Sequence, residues 1–158
     1  MDTNAEERLL PSHNLLCLGC GVDHPTGLGM ELRGSGTRVT GSFVVGEHHQ
    51  GAPGLAHGGI VALALDEVMA GLLWLLRQPA VTARLEVDYQ RPVPMGARLD
   101  LDAELDGREG RKIFARATAR IGDEVVATGR SIFVEVGMDH FAPHVERLGI
   151  PIEGLFDL

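Results

Sequence analysis

Two features of the sequence have the make-up of a reactive site: the run His57-Gly58-Gly59, and Asp66, a carboxylate set deep in the apolar run that starts at Ile60. The first N–H groups of a helix lack partners within it and carry the positive end of its dipole, so a helix start without a capping side chain can polarise a carbonyl oxygen. Gly54-Leu55-Ala56-His57-Gly58-Gly59 contains no Ser, Thr, Asp or Asn to cap such a start. A glycine-permitted tight turn with His57 capping locally is the other reading. Asp66 must face something, because an unpaired buried carboxylate is costly and the apolar residues around it cannot pair with it. A salt bridge, for instance with Arg84, or a polar interface contact would satisfy it; a substrate would too. Glu67, one step round the helix, reads as a solvated or structural acid.

The element that must position these residues is one long helix, about Gly58 to Arg77, apolar except for Asp66 and Glu67 and stopped by Pro79. A helix apolar on nearly every side is one surrounded by protein. Before it lie a polar arm, turn-rich segments and short strands at Met30 to Arg33 and Arg38 to Val45. After it comes period-two alternation: Val81, Ala83, Leu85, Val87 and Tyr89 on one face, then Ala97 to Leu105, then Ile113 to Ile121, then a last strand ending near Val136. Asp106 to Gly110 reads as a hairpin connection, and Gly122-Asp123 as a turn. Half-buried antiparallel strands around one buried helix make an α+β layout, with five to six strands wrapped around the helix. The expected organisation is an N-terminal arm (1–28), a sheet-and-helix domain (29–137) and a tail (138–158).

Gly58 and Asp66 stand eight residues apart, roughly 12 Å along a helix rising about 1.5 Å per residue. One carbonyl cannot touch both. A reaction that needs both must draw them from different chains, in a dimer that sets two such helices side by side and antiparallel.

Composition narrows the partners. With 22 acidic against 14 basic side chains and a net charge of −8, the chain repels nucleic acid and anionic lipid, so neither is expected. Its first residues are polar and acidic and its longest apolar run, Val68 to Leu76, is short of a bilayer span, which reads as a cytoplasmic protein. Cys17 and Cys20, the only cysteines, fit a reducing compartment. With His13 and His24 nearby zinc is conceivable, but one Cys-x-x-Cys without a second pair reads better as buried structural cysteines, and no metal is expected.

His49-Gln50-Gly51-Ala52-Pro53-Gly54, His57-Gly58-Gly59, an acid nine residues after His57, Thr82 to Pro94 ending in Asp88-Tyr89-Gln90-Arg91-Pro92-Val93-Pro94, and Glu109-Gly110-Arg111-Lys112 occur in that order. This set resembles the PaaI-type hot-dog-fold acyl-CoA thioesterases. The resemblance implies a sheet wrapped around a central helix, a homodimer formed through edge strands or a tetramer of two such dimers, and hydrolysis of an acyl-CoA to acid and coenzyme A, with no further cofactor. It implies that the Gly58 amide forms the oxyanion hole, that Asp66 is nucleophile or general base, and that Thr82 orients the acid or the water. Gln50, His57 and Gly59 would line the thioester end, Asp88 and Gln90 the substrate, and Arg111 and Lys112 the coenzyme A phosphates. Gln90 stands where close relatives often have lysine. Cys17 to Leu28 also resembles an entry motif of these proteins. Two other functions fit the same layout: hydration or dehydration of an acyl thioester, with His48 or His49 sharing proton transfers with an acid, and acyl-CoA binding without turnover.

Overall fold

The apolar run folds as a single helix, α1 (Gly58–Leu75), in a computed structural model that describes residues 6–149. Val61, Ala64, Leu65, Val68, Met69 and Leu72 are buried, a spacing of three and four that turns one stripe of the helix into the sheet. The opposite flank, Ala62, Leu63, Asp66, Glu67 and Ala70, is only half covered. A helix apolar on nearly every side is therefore not fully surrounded by the described residues of one chain. α1 ends two residues earlier than expected. Arg77 adopts a left-handed φ of 53°, and the N–H groups of Arg77 and Gln78 bond back to the carbonyls of Trp74 and Leu73, the Schellman ending that usually employs glycine.

The sheet has seven antiparallel strands: β1 (Arg8–Leu10), β2 (Glu31–Ser35), β3 (Arg38–Val44), β4 (Ala80–Tyr89), β5 (Arg98–Glu109), β6 (Lys112–Ile121) and β7 (Glu124–Glu135). Their spatial order is β1-β2-β3-β5-β6-β7-β4. This is the antiparallel sheet around one helix that alternation predicts, with one strand beyond the expected five to six. The addition is β1, three residues of the arm that pair with β2; a strand that short leaves no readable period. Leu99, Leu101, Ala103, Ile113, Ala115, Ala117 and Ala119 form the inner face against α1. The β5–β6 turn is tighter than expected, because a register shift between Leu105 and Gly107 lets β5 continue to Glu109. Beyond β7 a short helix, α2 (Ala142–Glu146), folds back from the tail; the tail's last residues, 150–158, lie outside the described ones.

Two edges remain, and they differ. β1 is three residues long, whereas β4 is ten and pairs on one side only, with β7. A long bare strand edge is a template for another strand.

Candidate active site at the helix start and the bulged edge strand

The helix start is held by a folded loop. Residues 49–57 curl so that the His57 N–H bonds to the His49 carbonyl at 2.8 Å, the Ala56 N–H to Val93 at 2.8 Å and the Gly51 N–H to Leu55 at 2.9 Å. The loop is so tight that a Cβ on Gly51 would stand 2.7 Å from the His57 Cα. Gln50 serves this loop, its side-chain oxygen accepting from the Gly54 N–H at 2.9 Å.

His57 caps the helix itself. Its Nδ1 accepts from the Gly59 N–H at 2.9 Å, so the Gly59 donor is not open, contrary to the reading of a wholly uncapped start. On the other side of the same peptide plane, the Tyr89 hydroxyl donates to the Gly58 carbonyl at 2.8 Å. The Gly58–Gly59 peptide is thus held at both ends. The Gly58 N–H belongs to the preceding peptide, whose carbonyl, that of His57, accepts from Ile60 at 2.9 Å. That N–H has no hydrogen-bond partner among the described residues, and Gly58 is exposed. One donor at a helix N-terminus is left oriented and open.

Asp66 sits two turns along α1, half-buried. The Thr82 hydroxyl donates to its Oδ1 at 3.2 Å. Strict alternation would put Thr82 on the outer face, away from Asp66. A bulge between Thr82 and Arg84 reverses the phase: Thr82 pairs with the inward Phe133, and beyond the bulge Arg84 pairs with Ile132 while Leu85 pairs with the inward Ser131. Bulges re-aim side chains in this way. Arg84, a candidate partner for Asp66, instead lies outside and pairs with Glu86.

Burial raises the Asp66 pKa above its usual 3.8, and the hydroxyls of Thr82 and Ser131 pull it partly back. Ser131, 3% exposed, lies close enough to favour the carboxylate without making a hydrogen bond of good geometry. A half-buried carboxylate with neutral donors and no cation is a stronger base than a solvated one.

The remaining sequence-picked residues divide between these two ends. Asp88 and Gln90 flank Tyr89 at the helix-start end of β4, and the Gln90 amide donates to the Thr128 hydroxyl at 3.2 Å. Arg111 and Lys112 are exposed at the β5–β6 turn, at the Thr82 end of the sheet, where Thr82, Phe133 and Ile113 form one register row. Lys112, next to the inward Ile113, faces outward.

An apolar cavity of about 350 Å³ opens beside Thr82, lined among others by Leu73, Trp74, Val81, Phe133, Phe141 and Val145. Of the residues that could shape an acyl pocket, Leu73 and Trp74 reach it, while Met69 and Leu72 are locked in the core. The tail contributes Phe141 and Val145. Tyr89, Ser131 and the tail residues were not singled out by sequence reasoning; only an inward place on β4 hinted at Tyr89.

The histidines of the hydration reading are otherwise engaged. His49 is buried, its Nδ1 accepting from Gly46 at 2.9 Å and its Nε2 facing the carbonyls of Thr26 and Gly27 at 3.3 Å. His48 is exposed beside Glu47. Both ring nitrogens of His49 are thus taken up by the backbone.

The family model described as "Thioesterase superfamily" matches residues 53–128, which include the helix start, Asp66, the bulge and both basic residues. The chain is 36% identical over 87 residues to acyl-coenzyme A thioesterase THEM4 of Rattus norvegicus, a match covering 55% of this chain and 37% of that protein. It is 27% identical over 103 residues to acyl-coenzyme A thioesterase THEM5 of Homo sapiens, covering 64% of this chain and 42% of that one. The chain therefore spans about two fifths of the length of these relatives. Among solved structures, a thioesterase superfamily protein superposes with a TM-score of 0.70 at 30% identity, over 75% of this chain and 60% of that one. A mutant of the phenylacetic acid degradation protein PaaI from Thermus thermophilus superposes with a TM-score of 0.63 at 25% identity, over 69% and 95%. A hypothetical thioesterase protein from Streptococcus pneumoniae, solved with coenzyme A, has the same fold at 17% identity, with a TM-score of 0.63 and 68% and 89% of the two chains covered.

Proposed function

Because the chain belongs to the thioesterase superfamily and has its hot-dog fold, we propose that it hydrolyses an acyl-CoA thioester at two composite sites in a homodimer. The observation that carries this reading is the division of the chemistry into two ends. The oriented Gly58 N–H, with His57 and Tyr89, stands at the start of α1 and the end of β4; Asp66, two turns along α1, meets Thr82 near the start of β4. Antiparallel pairing of β4 with its copy across a two-fold axis sets the Thr82 end of one strand beside the Tyr89 end of the other. The bare edge of β4 and the half-covered flank of α1 are the surfaces such a dimer buries.

In this site the thioester carbonyl oxygen accepts from Gly58 of one protomer, and the charge that develops on it meets the positive end of the helix. Asp66 of the other protomer attacks the carbonyl carbon or takes a proton from an attacking water, with Thr82 fixing its orientation. Collapse of the tetrahedral centre expels the coenzyme A thiolate, which takes up the proton that Asp66 removed from water, or one from solvent; where Asp66 itself attacked, water then hydrolyses the acyl–Asp66 anhydride and frees the acid and the carboxylate. The acyl group enters the apolar cavity beside Thr82. Arg111 and Lys112 offer local positive charge for the coenzyme A phosphates in an otherwise acidic chain.

A panel of short, long and aryl acyl-CoAs tests the reading by free-thiol release. Catalytic release from at least one class is the expected result. Tight binding with no release would make the chain an acyl-CoA binder, and turnover of an enoyl-CoA without thiol release would make it a hydratase.

A further inference from the structure

On the other side of α1 from the helix start, four metal-ligating groups converge that the hydrolytic chemistry does not use. The arm brings His13, Cys17 and Cys20 against Glu67, and one donor atom from each lies within 4.8 Å of every other. The Cys20 Sγ is 3.3 Å from the His13 Nδ1, and the Cys17 Sγ is 3.8 Å from the Glu67 Oε2. Tetrahedral zinc with its usual bond lengths separates ligand atoms by about 3.3 to 3.8 Å. His24, the other histidine near the motif, turns instead to the Thr26 N–H and stays outside the cluster.

We propose that His13, Cys17, Cys20 and Glu67 bind a zinc ion that clamps the N-terminal arm to α1.

The loop is built for this. Cys17-Leu18-Gly19-Cys20 forms a tight turn closed by the Gly21 N–H on the Cys17 carbonyl at 2.8 Å. The Cys20 thiol, the His13 ring and the N–H groups of Cys20 and Gly19 surround the Cys17 sulfur. Gly19 leaves room for the Glu67 carboxylate in its present position, which a Cβ there would approach to 2.3 Å. His13 is fixed by stacking on Trp74, ring centroids 4.7 Å apart and planes at 13°. No Lys or Arg pairs with Glu67 among the described residues, so a dication supplies the missing charge. Two thiolates, an imidazole and a carboxylate complete a closed four-coordinate sphere, the pattern of a structural rather than a catalytic zinc. Binding releases the thiol protons to solvent and changes no oxidation state.

The clamp has a consequence for the neighbouring cavity, since His13, Cys17 and Glu67 form part of its wall. The proposal itself does not depend on hydrolysis, and its test reads metal directly.

Tag-free full-length chain, purified in reductant without chelator, is analysed for metals, and chelator-stripped chain is titrated with Co²⁺ and followed by absorption. The expected result is about one zinc per chain, as a four-ligand site requires, with thiolate-to-cobalt charge transfer and tetrahedral d–d bands saturating at one equivalent. The Cys17→Ser and Cys20→Ser variants should lose the charge-transfer bands. Glu67→Gln, which leaves the shape unchanged, should weaken Co²⁺ binding about tenfold or more while the circular dichroism stays unchanged. Only a weak octahedral cobalt spectrum, metal retained equally by both cysteine variants, or a Cys17–Cys20 disulfide in place of metal would overturn the proposal.

Discussion

Asp66 and Glu67 are neighbours on one helix, and the chain treats them in opposite ways. Asp66 faces an open edge, is met by one threonine hydroxyl at 3.2 Å and a nearby serine, and no cation pairs with it among the described residues. Glu67 faces a closed corner where a histidine and two cysteines crowd around it. Burial raises both pKa values. What differs is satisfaction: Asp66 is met only by neutral hydroxyls, whereas Glu67 is surrounded by groups that can ligate a metal. On the proposed reading, the same residue class, one step apart, supplies a reactive acid and a structural one.

The sharpest way to break that contrast is to neutralise each acid without changing its shape. Asp66→Asn should lower kcat for thioester hydrolysis by about 10² to 10⁴, the range for loss of a positioned base, whereas Glu67→Gln should alter kcat by no more than about tenfold and act mainly on stability and metal content. Comparable losses of kcat in steady-state assays would erase the distinction.

pH sharpens it next. In the proposed mechanism hydrolysis requires the Asp66 carboxylate, so the rate should rise with pH through a limb displaced above the usual 3.8, because burial favours the protonated form. Thr82→Val removes a hydrogen bond that favours the carboxylate, so its limb should move to still higher pH. The stability consequence runs the opposite way with pH. A carboxyl with a raised native pKa contributes stability below its ordinary pKa and loses it as pH rises through the raised value. Asp66→Asn should therefore melt no lower than wild type at neutral pH, with a flatter dependence of Tm on pH.

The smallest effect concerns the helix start. Tyr89→Phe removes the hydrogen bond to the Gly58 carbonyl and leaves the ring; with a net hydrogen-bond contribution of about 0.5 to 1.5 kcal/mol, turnover should fall several-fold. An unchanged rate would mean that the loop and His57 orient Gly58 unaided.

Much of this was legible from pattern. An apolar helix holding one carboxylate and strands alternating around it led to the layout, and helix rise alone separated Gly58 from Asp66. The misses share one physical character: they are contacts between segments distant in sequence, or departures from period. Strict alternation puts Thr82 outside, and only the bulge turns it toward Asp66. The Tyr89 bond reaches a folded loop that no periodicity describes, whereas the His57 cap was the second of the two readings of the helix start. The cysteine pair with His13 nearby read as insufficient for a metal because the fourth group of the proposed site, Glu67, lies in the middle of a helix some 50 residues away.

The central claim is that each site takes its donor from one protomer and its acid from the other, and mixing two dead chains tests it directly. Gly58→Pro deletes the amide at the first helical position, where proline is tolerated, and His57 already has the extended ψ of 137° that a following proline demands. Gly58→Pro and Asp66→Asn homodimers should each be nearly inactive. Refolded together, they should regain about a quarter of wild-type thioesterase activity, because half the dimers are mixed and each mixed dimer holds one site with both groups intact. No recovery, with mixed dimers demonstrated by mass, would place Gly58 and Asp66 in the same protomer's site and contradict the account.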